Sequence, residues 1–280
     1  MLRDFILESN SILLDKKSKA IRVLILSAIR NSGRGHLAPA LSPLEVTRVL
    51  YEFVLKHNPR KPDWPERDRF ILSKGHGCIA LFAVLANQGY FKKEELLDFC
   101  KFSSPFGGHP ESATVPGVEF STGSLGHGLP VGVGIAMSAR LKKEDWRTFI
   151  LMGDGEINEG SVWEAAMHAS QHKLGRLCAI IDYNKMQAWG KSVEILNLEP
   201  LKAKWEAFGF DVTEVNGHDV SELAEVLNRK TTNVGNPQAI IAHTVKGKGI
   251  RAAENSSIWH HKAKISEEEI DELLADLLRA

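Results

Sequence analysis

Apolar and polar positions follow two different periods along the chain, and together they predict helices that alternate with short buried strands. Apolar side chains recur at helical spacing between Ile21 and Ile29, which predicts a helix over residues 16–31. Elsewhere, short apolar runs bounded by polar residues, glycine or proline are typical of buried strands. These runs are residues 70–72, the run that stops at Asp154, the run that stops at Asn184, residues 211–215 and residues 239–242.

Further helical segments lie between these runs. They cover residues 43–56, the stretch after Gly77 to Asn87, residues 93–101, 128–141, 159–172, 202–208 and 220–230, and a C-terminal helix that starts at Ser266. Because strands alternate with helices, the pattern predicts an α/β fold with a mostly parallel sheet and helices on both faces. No internal repeat or linker interrupts the pattern, so residues 1–280 are predicted to form a single domain.

Two predicted helices begin with the pattern of a capping box, in which a serine and a glutamate three positions later cap one another. The first pattern pairs Ser42 with Glu45. The second pairs Ser266 with Glu269 and predicts the start of the C-terminal helix.

The segment between residues 102 and 127 is rich in Gly, Pro, Ser and Thr. A loop of that length in a compact domain is usually functional or disordered. The helix after it, residues 128–141, is apolar nearly all round, which predicts a buried helix. The run from Gly132 to Met137 begins like a dinucleotide-binding motif but follows no strand, so we interpret its glycines as helix-packing positions.

Composition narrows the class of protein. Apolar residues make up 43% and charged residues 25% of the chain, as in ordinary globular proteins. The 35 basic and 35 acidic residues give a formal net charge of zero, which argues against nucleic acid binding as the main function. No signal peptide or membrane-spanning segment is evident, so a cytoplasmic location is predicted. Three cysteines are interpreted as small buried apolar residues in a reducing compartment: Cys78, Cys100 and Cys178.

Two of the predicted strands end at side chains that carry oxygen ligands. Asp154 follows one strand, and Asn184 follows the next about thirty residues later. The carboxyl ends of parallel strands share one edge of the sheet, where ligands bind in open α/β folds. A carboxylate and an amide oxygen suit a hard cation such as Mg²⁺, which often bridges to a phosphate. Gly153 and Gly155 leave the backbone accessible there, so the pattern predicts a site for a metal-bound diphosphate.

Histidines concentrate in glycine-containing or polar loops at the ends of predicted elements. These loops are Gly35-His36, Gly75-His76, Gly108-His109, Gly126-His127-Gly128 and Trp259-His260-His261. One such residue alone is typical of a surface turn, but their joint placement favours binding or proton transfer, since imidazole titrates near neutral pH. His168 and His172 lie four residues apart without the glutamate of a zinc-protease motif, and we interpret them as part of a solvated helix face.

A series of motifs in fixed order extends from about residue 15 to residue 262. The motifs are Ser32 to His36, Asp68 to Phe70, Leu72 to His76, Gly108 to Glu111, Pro116 to Glu119, Ser121 to Gly128, Gly153 to Glu156, Glu159-Gly160, Trp163 to Ala165 and Asn184. With these motifs the chain resembles the N-terminal half of transketolases. The resemblance implies a thiamine-diphosphate-binding fold and transfer of a two-carbon ketol unit from a ketose to an aldose.

The resemblance also implies roles for individual residues. Asp154, Asn184 and the backbone carbonyl of Met186 would bind Mg²⁺, with Ca²⁺ or Mn²⁺ as alternatives. Glu159 would lie at a subunit interface, or serve as a favourable first-turn charge of its helix. The residues implied to contact thiamine diphosphate are His76, Gly123, Ser124, Leu125, Gly153, Gly155, Glu156 and Asn184. The residues implied to be catalytic and to face the substrate are His36, His109 and His260, with His261 as the alternative to His260.

In transketolases, the glutamate that activates the cofactor and the arginines that bind the sugar phosphate lie in a second domain, whereas this chain ends after one predicted domain. The resemblance therefore implies the N-terminal subunit of a split transketolase. Its partner would be a C-terminal subunit, in a complex with two chains of each kind. Two alternatives stay open: the same chemistry on a branched sugar or a sulfo-sugar, and a non-catalytic regulatory subunit.

Overall fold

Five parallel strands form the centre of the fold in the computed structural model, which describes residue 9 and residues 11–229, 235–262 and 264–279. The strands are β1 (Arg69–Leu72), β2 (Thr148–Gly153), β3 (Leu177–Tyr183), β4 (Asp211–Asn216) and β5 (Gln238–His243). Their order across the sheet is β1-β2-β3-β5-β4, and every neighbouring pair is parallel. Their carboxyl ends therefore share one edge, as predicted.

Helices cover both faces of the sheet and confirm the predicted α/β class. They are α1 (Lys16–Ser32), α2 (Leu37–Leu41), α3 (Leu44–Val49), α4 (Cys78–Gln88), α5 (Gly128–Lys142), α6 (Gly160–Gln171), α7 (Ser192–Ile195), α8 (Leu201–Ala207), α9 (Val220–Asn228) and α10 (Glu267–Arg279). A π-helical turn, Leu50–Val54, extends α3, and the helix predicted over residues 93–101 is a 3₁₀ turn, Lys93–Asp98. In the described part of the chain, no helix has the length and apolar character needed to cross a bilayer.

Alternate side chains of each strand fill two separate cores, one on each face of the sheet. Phe149 and Leu151 of β2 belong to the core that α1, α3, α4, α9 and α10 cover. Ile150 and Met152 belong to the core that α5, α6 and α8 cover. Because both faces are buried, β2, β3 and β5 read as largely apolar runs, whereas the edge strand β4 is partly exposed and alternates polar with apolar residues.

The capping box predicted at the C-terminal helix is confirmed. The amide of Glu269 donates to Ser266 Oγ at 3.2 Å, and the amide of Ser266 donates to Glu269 Oε2 at 3.1 Å. These bonds satisfy two amides that the first turn of α10 leaves without partners.

The capping box predicted at Ser42 and Glu45 is wrong, although a helix does begin at Leu44. Ser42 Oγ donates to the carboxylate of Asp182 at 2.6 Å. Glu45 forms a fully buried ion pair with Arg22 at 2.6 Å. Both side chains are therefore used by tertiary contacts, that of Ser42 with β3 and that of Glu45 with α1.

Helix α5 is only partly buried, contrary to its prediction. Gly132 packs so closely on β2 that a Cβ there would lie 2.6 Å from side-chain carbons of Ile150. On the opposite side, Gly134 has open space around it, and the side chain of Leu141 is 81% exposed. The side of α5 that packs on β2 is therefore covered, whereas the opposite side is exposed.

The remaining side-chain predictions from the sequence have mixed outcomes. Cys78 and Cys178 are buried as predicted, whereas Cys100 is only half-buried. His168 is exposed on α6, and its ring stacks on that of His172 at 5.6 Å. The interpretation of this pair as part of a solvated helix face is consistent with that exposure.

Substitution of the two α5 glycines tests this packing. We expect Gly132→Ala to lower the free energy of unfolding by about 1–3 kcal/mol, because the added methyl group overpacks the contact with Ile150. Gly134→Ala is the matched control, and it should leave stability unchanged or raise it by up to about 1 kcal/mol through helix propensity. Urea-induced unfolding measures both, and equal effects of the two substitutions would contradict the packing argument.

Candidate functional site

A cleft of about 360 Å³ opens at the carboxyl edge of the sheet. The loops after β1, β2, β3 and β5 supply most of its walls, because parallel strands deliver their following loops to the same edge. The structure brings together here most of the residues that the sequence predicted: His36, His76, Gly123, Leu125, Gly153, Asp154, Gly155, Glu156, Asn184, Met186 and His260.

Two other predicted residues, His109 and Ser124, lie in an adjoining cleft of about 360 Å³. The two clefts share Gly123. The ring centroids of His109 and His36 are 6.1 Å apart, so His109 lies next to the first cleft although it does not line it.

Asp154 and Asn184 lie on neighbouring loops because β2 pairs directly with β3. Both side chains are buried. The Asp154 carboxylate accepts hydrogen bonds from the amide of Gly155 at 2.7 Å and from Ser192 Oγ at 3.0 Å. Asn184 Oδ1 accepts one from the amide of Met186 at 3.0 Å. With the Met186 carbonyl, these groups form an all-oxygen donor set, which fits a hard cation such as Mg²⁺.

The charge of Asp154 supports this fit. Burial and the nearby Asp182 carboxylate raise the pKa of Asp154 to about 6, because two negative charges in a low-dielectric site repel each other. A bound cation would compensate that charge. In the described part of the chain, no group of three or more His, Cys, Asp or Glu side chains forms a metal site, so a cation here depends on amide and carbonyl oxygens as well.

Asp182 forms a buried network that the sequence analysis did not identify. Its carboxylate accepts hydrogen bonds from Lys74 Nζ at 2.5 Å, Thr244 Oγ1 at 2.5 Å and Ser42 Oγ at 2.6 Å. Asn184 Nδ2 adds a fourth at 3.2 Å. Burial raises the pKa of Asp182, but the Lys74 ammonium and these hydrogen bonds outweigh burial and hold the pKa below its usual value. A charged residue inside a predicted buried strand is the signal that could have revealed it.

Glu156 fixes the loop before α5 against the end of β2. Its buried carboxylate accepts hydrogen bonds from Ser73 Oγ and from the amides of Gly126 and Gly153, the latter two at 3.0 Å. Burial raises the pKa of Glu156. The structure therefore shows this side chain shaping the wall of the cleft.

Lys246, in the glycine-rich loop after β5, is a second residue that the sequence analysis missed. Its ammonium group lies 2.5 Å from His260 Nδ1 and donates to the carbonyl oxygens of Met186 at 3.2 Å and Gln187 at 3.0 Å. Burial and the charge of Lys74 lower the pKa of Lys246 to about 8. Its position at a strand end was the available signal.

Imidazole rings form the other side of the cleft. The ring centroid of His76 lies 5.7 Å from that of His36 and 5.6 Å from that of His260. Burial lowers the pKa of His36 to about 4, with smaller effects from the charges of His261 and His109. Burial and the Lys246 charge lower the pKa of His260 to about 3. At neutral pH these rings are uncharged, so each can donate one hydrogen bond and accept another.

The site is therefore polar in two different ways. Its oxygen side, at Asp154 and Asn184, suits a cation and the anionic group that the cation would bridge. Its imidazole side, at His36 and His260, suits hydroxyl groups and can exchange protons with them. A ligand matches this arrangement if it has a diphosphate at one end and if its other end reacts with a molecule that carries hydroxyl groups.

Comparison with known proteins points in the same direction. The model of the family described as "Transketolase, thiamine diphosphate binding domain" matches residues 14–277. The chain is 40% identical over 255 residues to an apulose-4-phosphate transketolase subunit of Phocaeicola vulgatus, across 91% of this chain and 90% of that protein. It is 39% identical over 264 residues to the 6-deoxy-6-sulfo-D-fructose transketolase subunit SqwG of a Clostridium species, across 94% and 96% of the two.

Solved structures share the fold as well. The transketolase from Leishmania mexicana superposes with a TM-score of 0.86 at 32% sequence identity. The match covers 94% of this chain but 41% of the solved chain, so this chain spans about two fifths of that protein.

Neutralising Asp154 and neutralising Asp182 should have opposite effects on stability, because burial raises the pKa of the first and the Lys74 charge lowers that of the second. In the absence of metal, we expect Asp154→Asn to raise the free energy of unfolding at pH 7 by on the order of 1–3 kcal/mol. The folded-state pKa of Asp154, about 6, exceeds the ordinary value of 3.8. The charged form of Asp154 therefore destabilises the folded protein, with the full effect above pH 6. The stabilisation by Asp154→Asn disappears as the pH falls toward 4.

We expect Asp182→Asn to lower the free energy of unfolding by about 3–5 kcal/mol, because it removes the carboxylate with which the buried Lys74 ammonium forms its ion pair. The pKa of Asp182 is lowered, so this contribution is present above about pH 4 and is lost only in stronger acid. Urea unfolding of both variants in EDTA, at several pH values, measures the effects. A stabilised Asp182→Asn variant would be incompatible with the network.

Proposed function

The chain belongs to the transketolase family, and we propose that it is the thiamine-diphosphate-binding subunit of a two-chain transketolase. The complex would transfer a two-carbon ketol unit from a ketose to an aldose. The proposal depends above all on one observation, the meeting of Asp154 and Asn184 with a group of uncharged imidazoles in one cleft. The match to a relative that is itself named as one subunit of a transketolase, over 90% of that protein, supports a division into two chains.

The oxygen side of the cleft would hold the metal and the diphosphate. Asp154, Asn184 and the Met186 carbonyl would bind Mg²⁺, with Ca²⁺ or Mn²⁺ as alternatives of the same ligand preference. Gly153 and Gly155 would let the diphosphate approach the backbone. When bound, thiamine diphosphate would supply the nucleophilic carbon for ketol transfer, and the chain would supply position and electrostatics.

The imidazole side would bind the sugar. His36, His109 and His260 would face its hydroxyl groups, where an uncharged ring can hold or move a proton at a hydroxyl oxygen. The low pKa values of His36 and His260, about 4 and about 3, keep these two rings uncharged across the neutral range. His76 and the loop with Gly123, Ser124 and Leu125 would contact the cofactor, together with Glu156 as part of the wall beside the diphosphate.

A partner chain would complete the site. We assign to it the glutamate that activates the cofactor, in a complex with two chains of each kind in the cytoplasm. Trp189 lines the cleft at the carboxyl edge of the sheet, the proposed cofactor cleft, and is 93% exposed, which favours its burial against a partner. Glu159 is exposed at the start of α6, where we place a subunit contact.

The family and the site support the type of reaction, but several kinds of sugar substrate are compatible with them. The named relatives act on apulose-4-phosphate and on 6-deoxy-6-sulfo-D-fructose, so a branched sugar or a sulfo-sugar is the closest alternative to an ordinary ketose phosphate. A regulatory subunit without catalysis is the second alternative. The intact Asp154, Asn184 and glycine loop argue against it, because such a subunit has no need of a metal site.

Reconstitution tests the proposed division into two chains. We expect the isolated chain to bind thiamine diphosphate weakly and to lack ketol transfer, whereas the complex with the C-terminal subunit should bind the cofactor in the presence of Mg²⁺ and be active. Isothermal titration calorimetry and a coupled assay measure the two properties. Full ketol transfer by this chain alone would contradict the split, and a complex that binds no cofactor would favour a regulatory subunit.

Two substitutions in the reconstituted complex separate metal binding from catalysis. Asp154→Ala should weaken Mg²⁺ binding by at least about 10–100-fold, because even residues that only support metal ligands have effects of that size. His109→Ala should leave cofactor affinity unchanged and lower kcat by about 100-fold or more, as expected for a group that assists proton transfer. An unchanged Mg²⁺ dependence in the first variant, or lost cofactor binding with normal kcat in the second, would refute the corresponding role.

A further inference from the structure

We propose that three buried side chains, here called the loop clamp, position the loop after β5 and thereby fix which ring nitrogen of His260 carries its hydrogen. The loop clamp consists of Arg22 in α1, Glu45 in α3 and His218 in the loop after β4. None of these three residues lines the cofactor cleft. The inference rests on the proposed function, since it assigns positioning residues to the imidazole side of the same site.

The carboxylate of Glu45 joins the loop clamp into one unit. All three side chains of the clamp are buried. Glu45 accepts two hydrogen bonds from the guanidinium group of Arg22, at 2.6 and 3.1 Å, and His218 Nδ1 lies 2.9 Å from Glu45 Oε2. Burial raises the pKa of Glu45, but Arg22 and His218 outweigh burial and hold the pKa far below its usual value. Because a buried ion pair is costly to break, the clamp holds α1, α3 and the loop after β4 in one arrangement.

The loop clamp binds the backbone of the loop after β5 at two points. The amide of Val245 donates to His218 Nε2 at 2.8 Å. Arg22 Nε donates to the carbonyl oxygen of Lys248, also at 2.8 Å. Lys246 lies between these two points in the sequence, so the backbone that carries its side chain is held on both sides.

The contact with Val245 also determines the tautomer of His218. A backbone amide only donates, so Nε2 of this ring carries no hydrogen and Nδ1 donates to Glu45. Burial lowers the pKa of His218, and the opposing effect of Glu45 does not restore the usual value. At neutral pH the ring is therefore uncharged, and the Nδ1–H form makes both hydrogen bonds.

Lys246 connects the clamped loop to His260. Its Nζ lies 2.5 Å from His260 Nδ1, and it also donates to the carbonyl oxygens of Met186 and Gln187. An ammonium group donates hydrogen bonds and accepts none, so His260 Nδ1 is the acceptor and the hydrogen of the uncharged ring lies on Nε2. His260 can then donate this hydrogen to an oxygen of a bound sugar. If the loop moved, Lys246 would leave Nδ1, and both tautomers of His260 would be populated.

NMR spectra of the histidine rings in the isolated chain test the loop clamp without any need for activity. Long-range ¹H–¹⁵N correlations distinguish an Nδ1–H ring from an Nε2–H ring. At pH 7 we expect the Nδ1–H form for His218 and the Nε2–H form for His260. A charged His218 ring, or the opposite tautomer in either ring, would overturn the proposal, and this result depends on no variant.

Two substitutions of His218 separate its two hydrogen bonds. His218→Gln places an amide oxygen near the position of Nε2, so it can still accept from the amide of Val245. His218→Asn places an amide nitrogen near the position of Nδ1, so it can still donate to Glu45 but no longer holds Val245. Each variant leaves one buried polar group without its partner, so similar losses of stability are expected.

Only His218→Asn should release the loop after β5. We expect the His260 ring to keep its Nε2–H form in His218→Gln and to populate both tautomers in His218→Asn. An unchanged His260 tautomer in His218→Asn, or equal changes in the two variants, would contradict the proposed clamp. Because the readout is a ring tautomer, it decides the proposal even if the reconstituted complex transfers no ketol unit, which would contradict the proposed function alone.

Kinetics of the reconstituted complex provide the second test. His218→Asn should lower kcat about tenfold, as for the loss of one hydrogen bond, while KM for the ketose changes little. His218→Gln should restore kcat to near the parent value. A merely structural role of His218 would affect kcat alike in the two variants, and that result would overturn the proposal.

His57→Asn is the matched control for general destabilisation. His57 is half-buried in the segment before β1, and its ring nitrogens lie 3.0 Å from Tyr90 Oη and 2.8 Å from the carbonyl oxygen of Tyr51. The substitution should lower stability but leave kcat and the tautomer of His260 unchanged. If it altered the tautomer of His260 as much as His218→Asn does, the effect would not come from the clamp and the proposal would fail.

Discussion

The buried carboxylate of Asp182 is the interaction on which the arrangement of the site depends. It lies at the end of the central strand β3, fully buried, where an uncompensated charge would be very unfavourable. Compensation comes from Lys74 after β1, Thr244 after β5 and Ser42 before α3. One charge therefore fixes three segments that are distant in sequence, and the fourth contact, with Asn184, extends that order to the proposed metal site.

The same network leaves a second carboxylate without enough compensation. Lys74 pairs directly with Asp182, whereas Asp154 accepts hydrogen bonds from Gly155 and Ser192 and feels Lys74 only as a nearby charge among the described residues, so burial and Asp182 raise its pKa to about 6. A buried carboxylate with a raised pKa lowers the stability of the folded protein. Such groups are typical of functional sites, where stability is reduced in favour of binding. The uncharged histidines on the other side of the cleft add hydrogen-bonding capacity without adding to the charge imbalance.

Much of the fold and part of the site could be predicted from local patterns. Asp154 and Asn184 were placed on neighbouring loops because each follows an apolar run, and the pairing of β2 with β3 confirms it. Ser266 and Glu269 formed the predicted cap because both partners belong to one turn. Lys74 and Lys246 were missed as site residues, since they act through partners that lie 108 and 60 residues away along the chain.

The sequence by itself determined the α/β class, the sites where strands end and the residue types that gather at those ends, because these follow from spacing along the chain. Tertiary structure alone decided which partners the polar groups take. Ser42 and Glu45 have the spacing of a cap but bind Asp182 and Arg22, because burial makes charge compensation worth more than a local hydrogen bond. It also decided that one side of α5 stays exposed, since a helix pattern shows how apolar a surface is but not whether another layer covers it.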